Sequence, residues 1–183
     1  MENKEIREII NSLIIEKKFR ENEEVIVTFI PEIKYMIGFE HKHPHHNLDV
    51  WNHTLKVLEG IEDADLELRM SALLHDIGKP FSYQDGDVRH FHNHPQISKQ
   101  ISERILRRLN YDENFINNVC YLVEMHDTII DTNNLDNSYD MIIKRLKLQY
   151  ADAQAHDPKY VHKRLQFLDD IRTKLEEMER VLY

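Results

Sequence analysis

Leu66, Met70, Leu73, Leu74 and Ile77 recur at helical spacing, and Gly78 and Pro80 halt the run. The chain must therefore bury an apolar helix whose end carries the doublet His75-Asp76. A neutral imidazole and a carboxylate withdrawn from water together are costly unless a positive charge lies between them. A divalent cation is the usual solution. Whatever fold forms has to deliver further ligands to that helix end.

Most other segments are helical too. Ile6, Ile9, Ile10, Leu13 and Ile14 follow the helical period, then Pro31 and the stretch to Gly38 break it. A polar loop, His41-Lys42-His43-Pro44-His45-His46-Asn47, leads to a helix that buries Val50, Val57 and Ile61, with His53 on the same stripe. Tyr83 to Val88 has a turn at Asp85-Gly86 but is too short to expect more than a loop. Pro95 suits a first helical position, which puts His94 at the N-cap of a helix carrying Ile97, Ile101, Ile105 and Leu109. Phe115, Ile116, Val119, Cys120 and Val123 form a stripe that His126 continues. Ile142, Leu146, Tyr150 and Ala153 mark a helix with Asp152 near its end, and Asp157-Pro158 starts the last one. There Val161, Leu168, Leu175 and Leu182 recur every seven residues, a stripe expected to pack into the core, with a homodimer seam as its alternative use. Only four glycines and five prolines in 183 residues disfavour an all-β fold. The expectation is all-α, one domain over residues 1–183.

Charge and cysteine content narrow the function. A net charge of −9 argues against an extended nucleic-acid surface, though not against a local basic pocket. The lone Cys120 excludes an intrachain disulfide and suits a reducing, cytoplasmic setting. No apolar run is long enough for a bilayer and the start lacks a signal-peptide pattern, so no membrane partner is expected.

Six side chains carry the chemistry: His53, His75, Asp76, His94, His126 and Asp152. They come from five helical segments, each on or ending an apolar face, and a bundle can bring them to one point. Ala151 and Ala153 flank Asp152, and such small neighbours let backbones approach. The His41, His43, His45 and His46 group is read as loop without fixed geometry, with His46 at a pocket rim, and His156 and His162 as helix-end or surface residues. Asp127 is read as a polar residue closing a helix.

The order His, His-Asp, Asp resembles the signature of the HD superfamily of metal-dependent phosphohydrolases. The contexts Asp49-Val50-Trp51-Asn52-His53-Thr54-Leu55, Leu68 to Pro80, Phe91-His92-Asn93-His94 and Leu122-Val123-Glu124-Met125-His126 resemble the HD domain of bacterial tRNA nucleotidyltransferases, over roughly residues 31–153. The resemblance implies an HD-domain helical bundle with its metal site in the core. In members with the two additional histidines it implies two metals: His53, His75, Asp76 and Asp152 hold one, and Asp76 bridges to a second held by His94 and His126. Nitrogen-rich ligation favours Fe, Mn, Co, Ni or Zn over Mg. Two departures stand out. The family's common form has Gly before the third histidine and Glu after it, where this chain has Asn93 and Pro95. Those enzymes also carry a polymerase domain, and Asp63-Ala64-Asp65 lacks the Gly turn and strand of its carboxylate pair, so nucleotide addition is not expected.

The expected activity is hydrolysis of a small phosphoester: a nucleotide, a 2′,3′-cyclic phosphate or an RNA end. Asp76 and Lys79 are the expected catalytic residues, and Lys79, Arg69 and His46 the expected substrate contacts. The alternatives are a metal-braced module that binds nucleotide or RNA without cleaving it, and a subunit that accompanies a separate nucleotidyltransferase domain.

Overall fold

The structure, a computed structural model, describes residues 2–182, with side chains to Arg180. Eight α-helices follow in order: α1 (Asn3–Ile15), α2 (Glu23–Phe29), α3 (Val50–Gly60), α4 (Leu66–Leu74), α5 (His94–Arg108), α6 (Glu113–Met125), α7 (Tyr139–Ala155) and α8 (Pro158–Leu182). Several starts are capped as their sequences dictate. The carboxylates of Asp49, Asp65 and Asp112 and the hydroxyl of Ser138 accept N–H bonds from the third residue on, which satisfies donors the first helical turn leaves free.

α4 lies at the centre and packs against α1, α3, α5, α6 and α7. Residues Leu68 to Leu74 are all buried, so this helix is covered on every side. The main core joins it to Ile10, Ile14, Ile26, Trp51, Val57, Leu106 and Val119. A smaller core forms where α8 lies along α7, from Ile142, Leu146, Leu168, Ile171 and Leu175. The seven-residue stripe of α8 is thus packed inside the molecule at Leu168 and Leu175; the side chain of Leu182 lies outside the described residues.

Two local expectations need correction. The segment after α4 is a small antiparallel hairpin, β1 (Tyr83–Gln84) with β2 (His90–Phe91), pairing Tyr83 with Phe91 and Gln84 with His90. Arg89 anchors it: its guanidinium lies over the rings of Phe39 and Tyr83 and donates to Asp85 Oδ1 and the Glu40 carbonyl. The N-cap of α5 is Asn93 rather than His94, which is the first helical residue.

The histidine loop is not free of fixed geometry. A bridge between Glu40 and Asp49 closes it, and the Asp157 N–H donates to the His45 carbonyl at 2.9 Å. The Arg89 N–H donates to the Lys42 carbonyl at 3.1 Å. The loop is therefore tied at its base, to the α7–α8 joint and to the hairpin.

Candidate metal centre

Five elements converge on one buried point. His53 sits in the first turn of α3 on its buried face. His75 caps α4 and Asp76 follows it. His94 opens α5, His126 caps α6, and Asp152 lies in the last turn of α7. Three of the histidines share a device. The Nδ1 atoms of His75, His126 and His94 donate to the carbonyls of Ala72 (2.7 Å), Val123 (2.7 Å) and Phe91 (3.1 Å), in each case three residues back. That bond fixes the tautomer and aims the Nε2 lone pair inward, as a metal ligand requires.

The two oxygens of Asp76 face different groups. Oδ2 is 3.3 Å from His75 Nε2 and 3.8 Å from His53 Nε2. Asp152 Oδ1 completes that side, 2.9 Å from His53 Nε2 and 3.8 Å from His75 Nε2. Asp76 Oδ1 is 3.4 Å from His94 Nε2 and 3.8 Å from His126 Nε2, and those two nitrogens are 3.2 Å apart. Ligands held about 2.0–2.2 Å from a single cation stand roughly 2.8–3.6 Å from one another. Both groups are close to that spacing. Asp76 Oδ1 and His75 Nε2 are buried and have no hydrogen-bond partner among the described residues. Facing imidazole lone pairs and an orphaned carboxylate oxygen are costly alone and are satisfied by cations, so the residues fit the divalent metals that the donor set favours.

Electrostatics agree with the geometry. Burial works to raise the Asp76 carboxyl, but the surrounding imidazoles of His75 and His94 and the positive charge of Lys79 outweigh it and hold it well below the usual carboxylate range. Asp152 is likewise raised by burial and brought well below that range by the hydrogen bond from His53 and by His156. Burial pushes His126 down to about 4, which leaves a neutral imidazole at neutral pH.

A second ring of side chains surrounds this set. Lys79 is 7% exposed; its Nζ donates to Asp76 Oδ2 at 2.7 Å and to His41 Nε2 at 3.2 Å. His46 stacks flat on His41, with ring centroids 3.7 Å apart. His156 lies parallel to His53 at 5.3 Å and within 4.4 Å of the His46 ring. The surface reading of His156 is thereby corrected, because the α7–α8 joint folds it over His53. His46, His53 and His156 also offer ligand atoms close enough to one another to hold a cation. Asp127 is exposed, with Oδ2 3.8 Å from His94 Nε2. Arg69 is not brought to the centre. Its buried guanidinium donates to the carbonyls of Ile15, Ile61 and Glu62, tying the ends of α1 and α3 to α4. The expected substrate contact of Arg69 has no support in this placement.

Reasoning from sequence missed His41 and His156. His41 lies in a loop, where periodicity carries no signal, whereas His156 follows Asp152 by four residues and Ala153 by three, so the period of α7 places it on the same face just past the helix end. The one hint for His41 is that four of seven residues from His41 to Asn47 are histidine.

The centre opens to a cavity of about 440 Å³ lined by His43, His46, Lys79, Phe91, His94 and Gln96, among others. That size suits a small ligand. A larger groove of about 780 Å³, between the end of α3, α7 and α8, includes none of the six His and Asp ligand candidates.

Known proteins resemble this chain in sequence. The HD domain family matches residues 45–169. An A-adding tRNA nucleotidyltransferase of Deinococcus radiodurans is 31% identical over 149 residues, 78% of this chain and 30% of that protein. A CC-adding tRNA nucleotidyltransferase of Thermus thermophilus is 30% identical over 105 residues, 54% of this chain and 24% of that protein. The chain thus spans at most about a third of the curated relatives it matches. With the family matched over more than half its length and the His and Asp residues gathered in the core, the chain belongs to the HD-domain family.

Proposed function

We propose that this chain is a metal-dependent phosphohydrolase acting on a small phosphoester. The observation that carries the reading is Asp76, whose two oxygens face two separate nitrogen-rich groups while Lys79 stands beside it. His53, His75, Asp76 and Asp152 would hold one divalent cation, and His94 and His126 a second, with Asp76 shared. When bound, such cations supply charge for the phosphoryl oxygens and an ionised water at neutral pH. The chain's own groups do the rest. Lys79 places a positive charge at the rim of the cluster, where it offsets charge on the phosphoryl group, a kind of contact typically worth ~10²–10³ in rate. His46 faces the same mouth and contacts the ester. The ligand set suits Fe, Mn, Co, Ni or Zn. The small mouth and the net charge of −9 favour a nucleotide, a 2′,3′-cyclic phosphate or an RNA end over a duplex.

The test is turnover of 2′,3′-cyclic AMP, a chromogenic diester and a phosphomonoester with added manganese, nickel or cobalt. Activity lost in Asp76→Ala supports the reading; metal-replete protein that hydrolyses none of them refutes it.

The relatives' names favour a second reading, in which the domain binds a tRNA end or a separate nucleotidyltransferase without hydrolysis. It expects Asp76→Ala to lower the melting temperature while tRNA affinity persists. Co-purification with a nucleotidyltransferase would identify the partner, with α8 the surface to mutate.

A further inference from the structure

We infer that His41 is a positioning residue for Lys79, setting the direction in which its ammonium meets substrate; this rests on the reading of Lys79 as a catalytic cation. An ammonium has three N–H donors on a flexible stem, and in water it points nowhere in particular. Here two of the three are committed. One goes to Asp76 Oδ2 at 2.7 Å and one to His41 Nε2 at 3.2 Å. The Phe91 ring, 5.4 Å from Nζ, covers the ammonium on a further side. With two directions fixed, the third N–H is fixed as well. Lys79 lines the mouth of the centre, so that remaining donor serves a ligand there.

His41 is built for this task. Its ring is 1% exposed. Nδ1 donates to the Leu48 carbonyl at 3.0 Å, which leaves Nε2 without a proton and able only to accept. The ring cannot swing away, because His46 stacks on one face at 3.7 Å and the Glu40–Asp49 bridge closes the loop. Asp76 alone would hold Lys79 as an ion pair without defining its rotation about the Asp76 contact. A second, neutral acceptor defines the rotation without adding a negative charge that would repel phosphate.

The first measurement needs no turnover. Long-range ¹⁵N–¹H spectra of metal-loaded protein report the tautomer of each imidazole. The expected result is His41 as the Nδ1–H form, with the Nε2 resonance shifted in Lys79→Met. An Nε2–H tautomer, or an Nε2 resonance indifferent to Lys79→Met, overturns the inference whether or not the protein is a hydrolase.

The second measurement is kinetic, on whichever phosphoester the protein hydrolyses. His41→Phe keeps a flat ring against His46 but removes the acceptor. A hydrogen bond to a charged group is worth about 1.5–3 kcal/mol, so kcat should fall roughly 10- to 100-fold. KM should change little, and His41→Gln, which returns an acceptor, should recover part of the loss. In a Lys79→Met background His41→Phe should add nothing. Equal losses in both backgrounds, or a loss that Gln cannot recover, overturn the inference. Failure of the wild-type protein to hydrolyse any ester refutes the phosphohydrolase reading and leaves the spectroscopic result to decide the contact.

Discussion

Asp76 is the residue on which both halves of the site depend. Each of its oxygens faces a different set of imidazoles, and Lys79 neutralises the carboxylate as well. Replacing it with Asn keeps the shape but removes the charge. The expected outcome is loss of at least one equivalent of tightly bound manganese or nickel by elemental analysis, and a fall in turnover of about 10³-fold or more. Asp152→Asn reaches only the His53–His75 side, so the cation at His94 and His126 should remain. Cys120 allows a test unrelated to the site. Burial pushes its thiol up to about 11, and among the described residues its one hydrogen bond is a long one to the Lys99 carbonyl. The thiolate is the reactive form, so at pH 8 alkylation of native protein should be on the order of 100-fold slower than in denaturant. A group with a raised folded pKa that ionises to an anion disfavours the folded state once the unfolded thiol has ionised. Stability should therefore decline as pH rises through the unfolded value, near 8.5, towards 11. A native alkylation rate equal to the denatured one would contradict the burial.

At the level of elements, the turn after α4 and the start of α5 form one unit. A methyl group on Gly78 would stand 2.5 Å from the Ser98 N, 2.7 Å from the His94 carbonyl oxygen and 2.8 Å from Ser98 Oγ. Only glycine lets the His75-Asp76 turn lie against the first turn of α5, where its N–H donates to Ser98 Oγ at 2.9 Å. Gly78→Ala should cost about 1–3 kcal/mol and displace His94. A melting temperature lower by roughly 2–10 °C, with loss of the cation nearest His94, is the expected result. Asn93 explains how the chain departs from the family pattern without losing the loop. Its φ is +57°, in the left-handed region that glycine adopts freely and asparagine tolerates best among the other residues. Asn93→Gly should melt within about 1 °C of the parent, whereas Asn93→Val should be less stable by about 1–2 kcal/mol. The sequence carried the helices and the six inward His and Asp residues, because each lies on or ends a periodic stripe. It did not carry the second ring. His41 is buried and His156 half-buried only once the histidine loop closes at Glu40–Asp49 and the Asp157 N–H meets the His45 carbonyl, contacts that no local pattern encodes. The hairpin was missed for a similar reason, since Arg89 holds it against Phe39 from a distant part of the chain.

For the molecule as a whole, the centre works as a clasp. The candidate ligands come from α3, the end of α4, α5, α6 and α7, and the pair His53 and Asp152 is separated by 99 positions. Without cations the core holds two carboxylates whose ionised forms rely on neighbouring imidazoles and Lys79, together with a buried oxygen and nitrogen that have no partner among the described residues. Cations that bind only where these five elements are assembled stabilise the folded chain by mass action, about 2.7 kcal/mol for one site at a concentration 100 times its Kd. For a chain of this size each kcal/mol raises the melting temperature by about 2–4 °C. Adding manganese or nickel to chelator-stripped protein should therefore raise it by about 5–11 °C per site filled, in a single transition. Asp76→Asn should abolish most of that rise, because it takes a ligand from both groups. Leu168→Ala, in the smaller core between α7 and α8, should cost about 2–5 kcal/mol of stability and so lower the starting melting temperature, yet keep the rise, because α8 supplies none of the six candidate ligands. Calorimetry with and without metal separates these outcomes. A melting temperature indifferent to every transition metal would mean that the clasp is held by Lys79 and the imidazoles alone.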